Sequence, residues 1–182
     1  RARPGVTARH NALRDSVCAA FRETGLEAEI EKQVVKPGVN SRPADVFGRR
    51  DKLCIDTSVT HPGAKTYLSK AANVNNYAGD DRAKSKNEKY RPHVQVMGLN
   101  FAPFVIETWV SFQKETHTGL HILANQLASK TSIPLSVAMS RFRKRFSACV
   151  SREIARALLY RKLPPTFCAL PRLEHDIPCP NP

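Results

Sequence analysis

Arg42-Pro43-Ala44-Asp45-Val46-Phe47 and Lys52-Leu53-Cys54-Ile55-Asp56-Thr57-Ser58-Val59-Thr60 are separated only by Gly48-Arg49-Arg50-Asp51. A polar connection of that length between two runs of extended character predicts strands over 43–47 and 52–60, paired antiparallel as a hairpin. Successive side chains in a strand point to opposite faces. The period of two therefore sets Leu53, Ile55, Thr57 and Val59 on one face and Cys54, Asp56, Ser58 and Thr60 on the other. Asp56 shares a face with Ser58, and Asp45 stands on the neighbouring strand.

Upstream, Ala8, Ala12, Leu13, Val17, Ala20 and Phe21 recur at helical spacing and predict an amphipathic helix from Thr7 to about Glu23, ended by Gly25. Residues 27–35 alternate before Pro37-Gly38 and predict a strand near a sheet edge. Downstream, 61–79 is polar and reads as a loop with about a turn of helix. Asp80 to Tyr90 has acids first and lysines last, the order a helix dipole favours, with Pro92 expected to stop it. Two strands are expected over 93–99 and 104–110. Two helices follow, His117 to about Lys130 and Pro134 to about Lys162. In the second, Leu135, Met139, Phe142, Phe146, Val150, Ile154 and Leu158 are expected to face the core. The predicted class is α/β: a helix, a three-strand meander, a helix and strands, then two C-terminal helices. It forms one domain over 7–162. Residues 164–182 hold six of the thirteen prolines and predict an extended or disordered tail.

A chain of 182 residues suits a single core. The balance of 29 Lys and Arg against 16 Asp and Glu, a formal +13, calls for a polyanionic partner: DNA, RNA or an anionic membrane face. Between Lys130 and Lys162 there are nine basic residues and one acidic residue, so that segment carries most of the excess. Arg141, Arg143, Lys144, Arg145 and Arg152 within it, and Arg42 before the hairpin, are candidate nucleic-acid contacts. No apolar run has the length of a membrane span, and the first residues do not lead into a secretory leader. The expectation is an intracellular, non-secreted protein. The lack of an initiator Met suggests a piece of a longer polypeptide. Five cysteines at irregular spacing argue against a disulfide framework. Cys18, Cys54 and Cys149 read as small core side chains. Cys168, His175 and Cys179 match no common zinc spacing, and a zinc site there stays open.

Two carboxylates on paired strands suit a hard divalent cation, Mg²⁺ or Mn²⁺, and leave room for water and phosphate oxygens. A lysine nearby would place positive charge on a phosphodiester. Lys86 and Lys89 lie three apart on one predicted helix and are both candidates. A solvated helix face explains the Lys84 to Lys89 run equally simply. His61 reads as a surface loop histidine or a phosphate contact. Tyr67, Tyr77 and Tyr90 read as packing residues or as stacking platforms for unpaired bases.

The order of these motifs resembles the PD-(D/E)XK nuclease superfamily, specifically the restriction-like endonuclease domain of site-specific non-LTR retrotransposons, over roughly His10 to Leu159. His10-Asn11-Ala12-Leu13-Arg14-Asp15 is similar to that family's opening helix. Arg42-Pro43-Ala44-Asp45 resembles its Arg-Pro-Asp element with one residue inserted. Asp56-Thr57-Ser58-Val59 resembles its second motif, with Ser58 where a lysine is usual, and Lys86-x-x-Lys89-Tyr90 its relocated lysine. Phe101 to Thr108 resembles the strand that follows. The resemblance implies a restriction-endonuclease-like core and a Mg²⁺-dependent endodeoxyribonuclease, with Asp45, Asp56 and the carbonyl of Thr57 as metal ligands. It also implies a further acid, Glu23, Glu29 or Glu31. The biological setting would be a nuclear reverse transcriptase polyprotein that nicks target DNA to prime reverse transcription. Two other readings stand beside it: a catalytically silent DNA- or RNA-binding module of the same fold, and a metal-free protein whose acids are incidental.

Overall fold

In a computed structural model of the protein, the described residues are 4–31, 44–50 and 52–162. Arg42, the proline-rich 163–182 segment and Cys168, His175 and Cys179 lie outside them. The chain runs α1 (Pro4–Glu23), β1 (Ala28–Ile30), β2 (Val46–Gly48), β3 (Leu53–Thr60), α2 (Leu68–Ala71), α3 (Tyr77–Val96), β4 (Asn100–Glu107), α4 (Lys114–Thr131) and α5 (Leu135–Lys162). The protein is mixed α/β, with one four-stranded sheet in the order β1-β2-β3-β4. β1 pairs with β2 and β2 with β3 antiparallel, while β3 and β4 are parallel. Parallel neighbours need a crossover, and α3 supplies it.

Both faces of β3 are covered. Leu53 and Ile55 join Leu13, Val17 and Phe21 of α1, Leu120, Leu123 and Leu127 of α4, and Phe142 and Phe146 of α5 in the main core. Phe104 of β4 meets Phe146 edge to face at 5.2 Å between ring centres. On the opposite face Cys54 packs with Ala44, Phe47, Val94 and Phe101 under α3. The result is a layer of α1, α4 and α5, the sheet, and α3 on the far side. Ala44, next to Asp45, is a buried member of this second cluster.

α1 ends where its composition dictates. Gly25 takes φ +84, Gly25 N–H donates to the Arg22 carbonyl and Leu26 N–H to the Phe21 carbonyl, closing the last turn.

The expected strand over 93–99 is absent, because α3 continues through Pro92 to Val96. Pro92 deletes one helical hydrogen bond, but Val94 beyond it is fully buried among Phe47, Cys54 and Phe101 and holds the helix to the sheet. The helix stops at Gly98, with φ +68, where Gly98 N–H donates to the Gln95 carbonyl and Leu99 N–H to that of Val94. Among the described residues one strand, β4, therefore follows α3. On α5, Met139, Phe142, Phe146 and Val150 are buried and Ile154 packs against them, but Leu135 and Leu158 are exposed, contrary to the periodic expectation. They lie at the two ends of a helix that overhangs the elements beneath it.

Candidate active site

The register of the hairpin builds the site. Val46 faces Ile55 and Phe47 faces Cys54, so continuing by one residue sets Asp45 opposite Asp56. Directly opposed residues on paired strands have neighbouring side chains. The two carboxyls are close enough to share a hydrogen bond. Asp45 Oδ2 also accepts from the Thr57 amide at 2.7 Å and the Thr57 hydroxyl at 2.8 Å. Its other oxygen lies 3.4 Å from His10 Nε2 on α1. Asp56 is buried and meets the Lys86 ammonium at 2.5 Å. One turn earlier on α3, Arg82 Nε donates to the Ser58 hydroxyl at 3.2 Å.

α3 is rotated so that Ala83, Lys86 and Val94 are its buried positions in this stretch, with Tyr90 packed on the second cluster. Lys86 lies on that inward stripe. Lys89 does not: it is exposed, with its ammonium 4.8 Å from the ring centre of Tyr90. Of the two candidate lysines, only Lys86 contacts a carboxylate.

The electrostatics follow from burial and neighbours. Burial, opposed by Lys86 and reinforced by Asp45, pushes the Asp56 carboxyl up to about 6. Burial also presses on Asp45, but the hydrogen bond and charge of His10 hold it below the usual value. The hydrogen bond to Asp45 raises His10 in turn. Desolvation lowers Lys86 despite its ion pair. Two carboxyls in contact cannot both ionise cheaply without a cation between or beside them.

Carboxylate and carbonyl oxygens are the donors that a hard divalent ion prefers. Asp56 Oδ2 is inaccessible to solvent and, though it touches Lys86, receives no well-directed hydrogen bond. The Thr57 amide points to the β2 side, and in a strand the carbonyl of the same residue points the same way. Among the described residues no group of three or more His, Cys, Asp and Glu side chains could hold a metal. Mg²⁺ needs no such cage, because it is commonly held by one or two carboxylates with the substrate phosphate and water completing the shell.

The three acids considered as a further ligand are each paired with arginine, and Glu31 stands next to Asp45 across β1 and β2. Glu23 is held by Arg141 and Arg145 of α5, thirteen residues along α1 from His10, or about 20 Å. Glu29 pairs with Arg49 and Glu31 with Arg14, although the Glu31 amide donates to the Asp45 carbonyl at 2.9 Å. His10 and Arg82 are the residues that sequence reading did not single out. The concavity lined by Arg22, Glu29 and Arg49 lies near the other end of α1 and is not this site.

The predicted nucleic-acid contacts on α5 divide. Arg141 and Arg145 clamp Glu23, and Arg143 meets His117 Nδ1 at 3.2 Å. Lys144 and Arg152 are exposed, the latter 3.8 Å from Glu153. α5 lies on the opposite side of the sheet from Lys86, running antiparallel to α1, so Arg152 is nearer the His10 end than Arg141 is. His61 sits at the end of β3, bonded to Thr108. No helix among the described residues is long and apolar enough to cross a membrane. A scan against models of known protein families finds none that matches, and a search of curated proteins finds no match either.

Proposed function

We propose that the protein is a divalent-metal-dependent DNA endonuclease, hydrolysing a phosphodiester at the Asp45–Asp56–Lys86 cluster. The observation that carries the reading is the pairing of the buried Asp56 carboxyl with the buried Lys86 ammonium, with the Asp45 carboxyl beside Asp56, where β2, β3 and α3 meet. Asp45, Asp56 and the Thr57 carbonyl would hold Mg²⁺ or Mn²⁺. The bound ion would supply positive charge opposite the phosphate and acidify water beside it. Thr57 and His10 orient Asp45. Lys86, released from Asp56, turns its ammonium to a phosphate oxygen, where charge grows as the bond breaks. Lys86 thus takes the role that Ser58 has no charge to fill. Arg82 extends the positive line along α3. The motif resemblance extends the proposal to its setting: a domain of a nuclear reverse transcriptase polyprotein from a non-LTR retrotransposon, nicking target DNA for primed reverse transcription.

One observation favours a second reading, a catalytically silent nucleic-acid-binding module. The Lys86 ammonium already neutralises Asp56, as a cation would. Supercoiled plasmid decides between them. With Mg²⁺ or Mn²⁺ the wild type nicks it, Asp45→Ala and Asp56→Ala bind but do not nick, Lys86→Ala is strongly impaired and Lys89→Ala is unaffected. Binding without nicking by the wild type selects the silent module; undiminished nicking by Asp56→Ala rejects the site altogether.

A further inference from the structure

A second surface lies at the C-terminal ends of β3 and β4. Beyond β4 the chain makes a tight turn in which Val110 N–H donates to the Glu107 carbonyl at 2.8 Å and Glu107 N–H to the Ser111 carbonyl at 2.9 Å. Val110 has φ +66, a conformation that β-branched residues rarely adopt. This strained turn presents Trp109, the chain's one tryptophan, 66% exposed. An indole offers more apolar area for burial than almost any other side chain, yet this one is held in solvent.

The turn is fastened to the 61–77 segment. His61 Nδ1 bonds the Thr108 hydroxyl at 2.8 Å, and the His61 ring stands edge-on to Trp109 at 6.4 Å. The Ser111 hydroxyl bonds the Asn76 side chain. In the same segment Tyr67 and Tyr77 meet at 6.4 Å, Lys70 lies 5.4 Å from the Tyr77 ring centre, and Lys65 is exposed. From Thr57 to Gly79 and from Thr108 to Gln113 the sequence has no acid. Glu107 between them is buried, with Oε1 accepting from the Gly79 amide at 2.9 Å. Acids resume with Asp80 and Asp81 in the first turns of α3.

An exposed indole and lysines beside half-buried tyrosines are the chemistry that takes an unpaired polynucleotide: bases stack on rings and phosphates meet ammonium groups. A duplex keeps its bases stacked inside and gains only the charge. We propose that this surface binds an unpaired DNA strand, with Trp109 stacking on a base. β4 ends four residues beyond Pro103, the partner of Asp56, so the turn that carries Trp109 begins about 13 Å along the sheet from the carboxylates. Arg82 lies on the route between them. The proposal requires neither metal nor cleavage.

The single tryptophan makes the test direct. The full chain is titrated in EDTA with a short oligodeoxynucleotide while its intrinsic fluorescence is followed. The expected result is saturable quenching by the single strand and weaker quenching by the duplex of the same sequence. Trp109→Ala is expected to lose about tenfold in single-strand affinity, and Trp109→Phe to recover most of it. Because Trp109 is exposed, circular dichroism of both variants should match the wild type. The proposal is overturned by binding that leaves the fluorescence unchanged, by equal quenching with an abasic strand of the same length, or by unchanged affinity in Trp109→Ala. Blue-shifted emission on phosphatidylserine vesicles without quenching by the oligonucleotide overturns it in favour of a membrane face. Loss of plasmid nicking with quenching intact refutes the nuclease reading alone, and the converse refutes this surface alone.

Discussion

Asp56 is a carboxylic acid whose charge is costly in the metal-free protein. Its ordinary value of 3.8 rises to about 6, mainly through burial, so the fold favours the protonated form. The stability this contributes is fully present below 3.8 and is lost as pH rises through about 6. A divalent ion reverses the preference, because it needs the ionised carboxyl and competes with the proton. The rise in Tm on adding Mg²⁺ is therefore expected to be small near pH 5, to grow through pH 6 and to level off by about pH 7.5. Melting curves with and without Mg²⁺ across that range test it, and Asp56→Asn should flatten the response; a Tm increment independent of pH would contradict the assignment. The carboxylates were legible because the period of two puts Asp56 on a defined face. The choice of Lys86 over Lys89 had a signal too. Lys86 continues the spacing of Ala83, Tyr90 and Val94, and Lys89 falls off that stripe.

At the scale of elements, α3 is the instructive case. His93 to Leu99 alternates as a strand would, and Pro92 looks like a stop, yet the segment is the end of a helix. The competing signal was Gly98 followed by Leu99, a glycine that can turn left-handed and an apolar residue that folds back with Val94 onto the second cluster. A Cβ at Gly98 meets nothing within 4 Å, so the whole cost of a side chain there is backbone strain. Gly98→Ala is expected to destabilise by about 1 kcal/mol. Pro92→Ala restores a helical N–H and should stabilise by about 1 kcal/mol or more. Urea melts of the two variants measure both, and equal signs would refute this account of the helix end. Gly25 at the end of α1 was read correctly, because no rival periodicity ran through it.

Across the whole molecule, the +13 charge is spread over surfaces that face different ways. Arg145 is committed to Glu23 at 2.7 Å and to Ser16, tying α5 to α1, whereas Lys144 is free to meet phosphate. Arg145→Ala should therefore lower Tm. Lys144→Ala should leave Tm unchanged and reduce the salt slope of DNA binding by about 1. Titrations at several salt concentrations distinguish the two, and an unchanged slope in Lys144→Ala would remove α5 from the DNA-contacting surface.

The sequence by itself determined the α/β class, the hairpin that opposes Asp45 to Asp56, the helices at either end and the excess of positive charge. These depend on neighbours a few residues apart, where periodicity and turn chemistry suffice. Only the tertiary structure decided that Lys86 reaches Asp56, that His10 reaches Asp45, that Glu23 pairs with arginines of α5 and that Trp109 stays in solvent. Each of those depends on how a helix or turn is rotated and placed against the sheet, which is set by the summed packing of both clusters and not by any local run of residues.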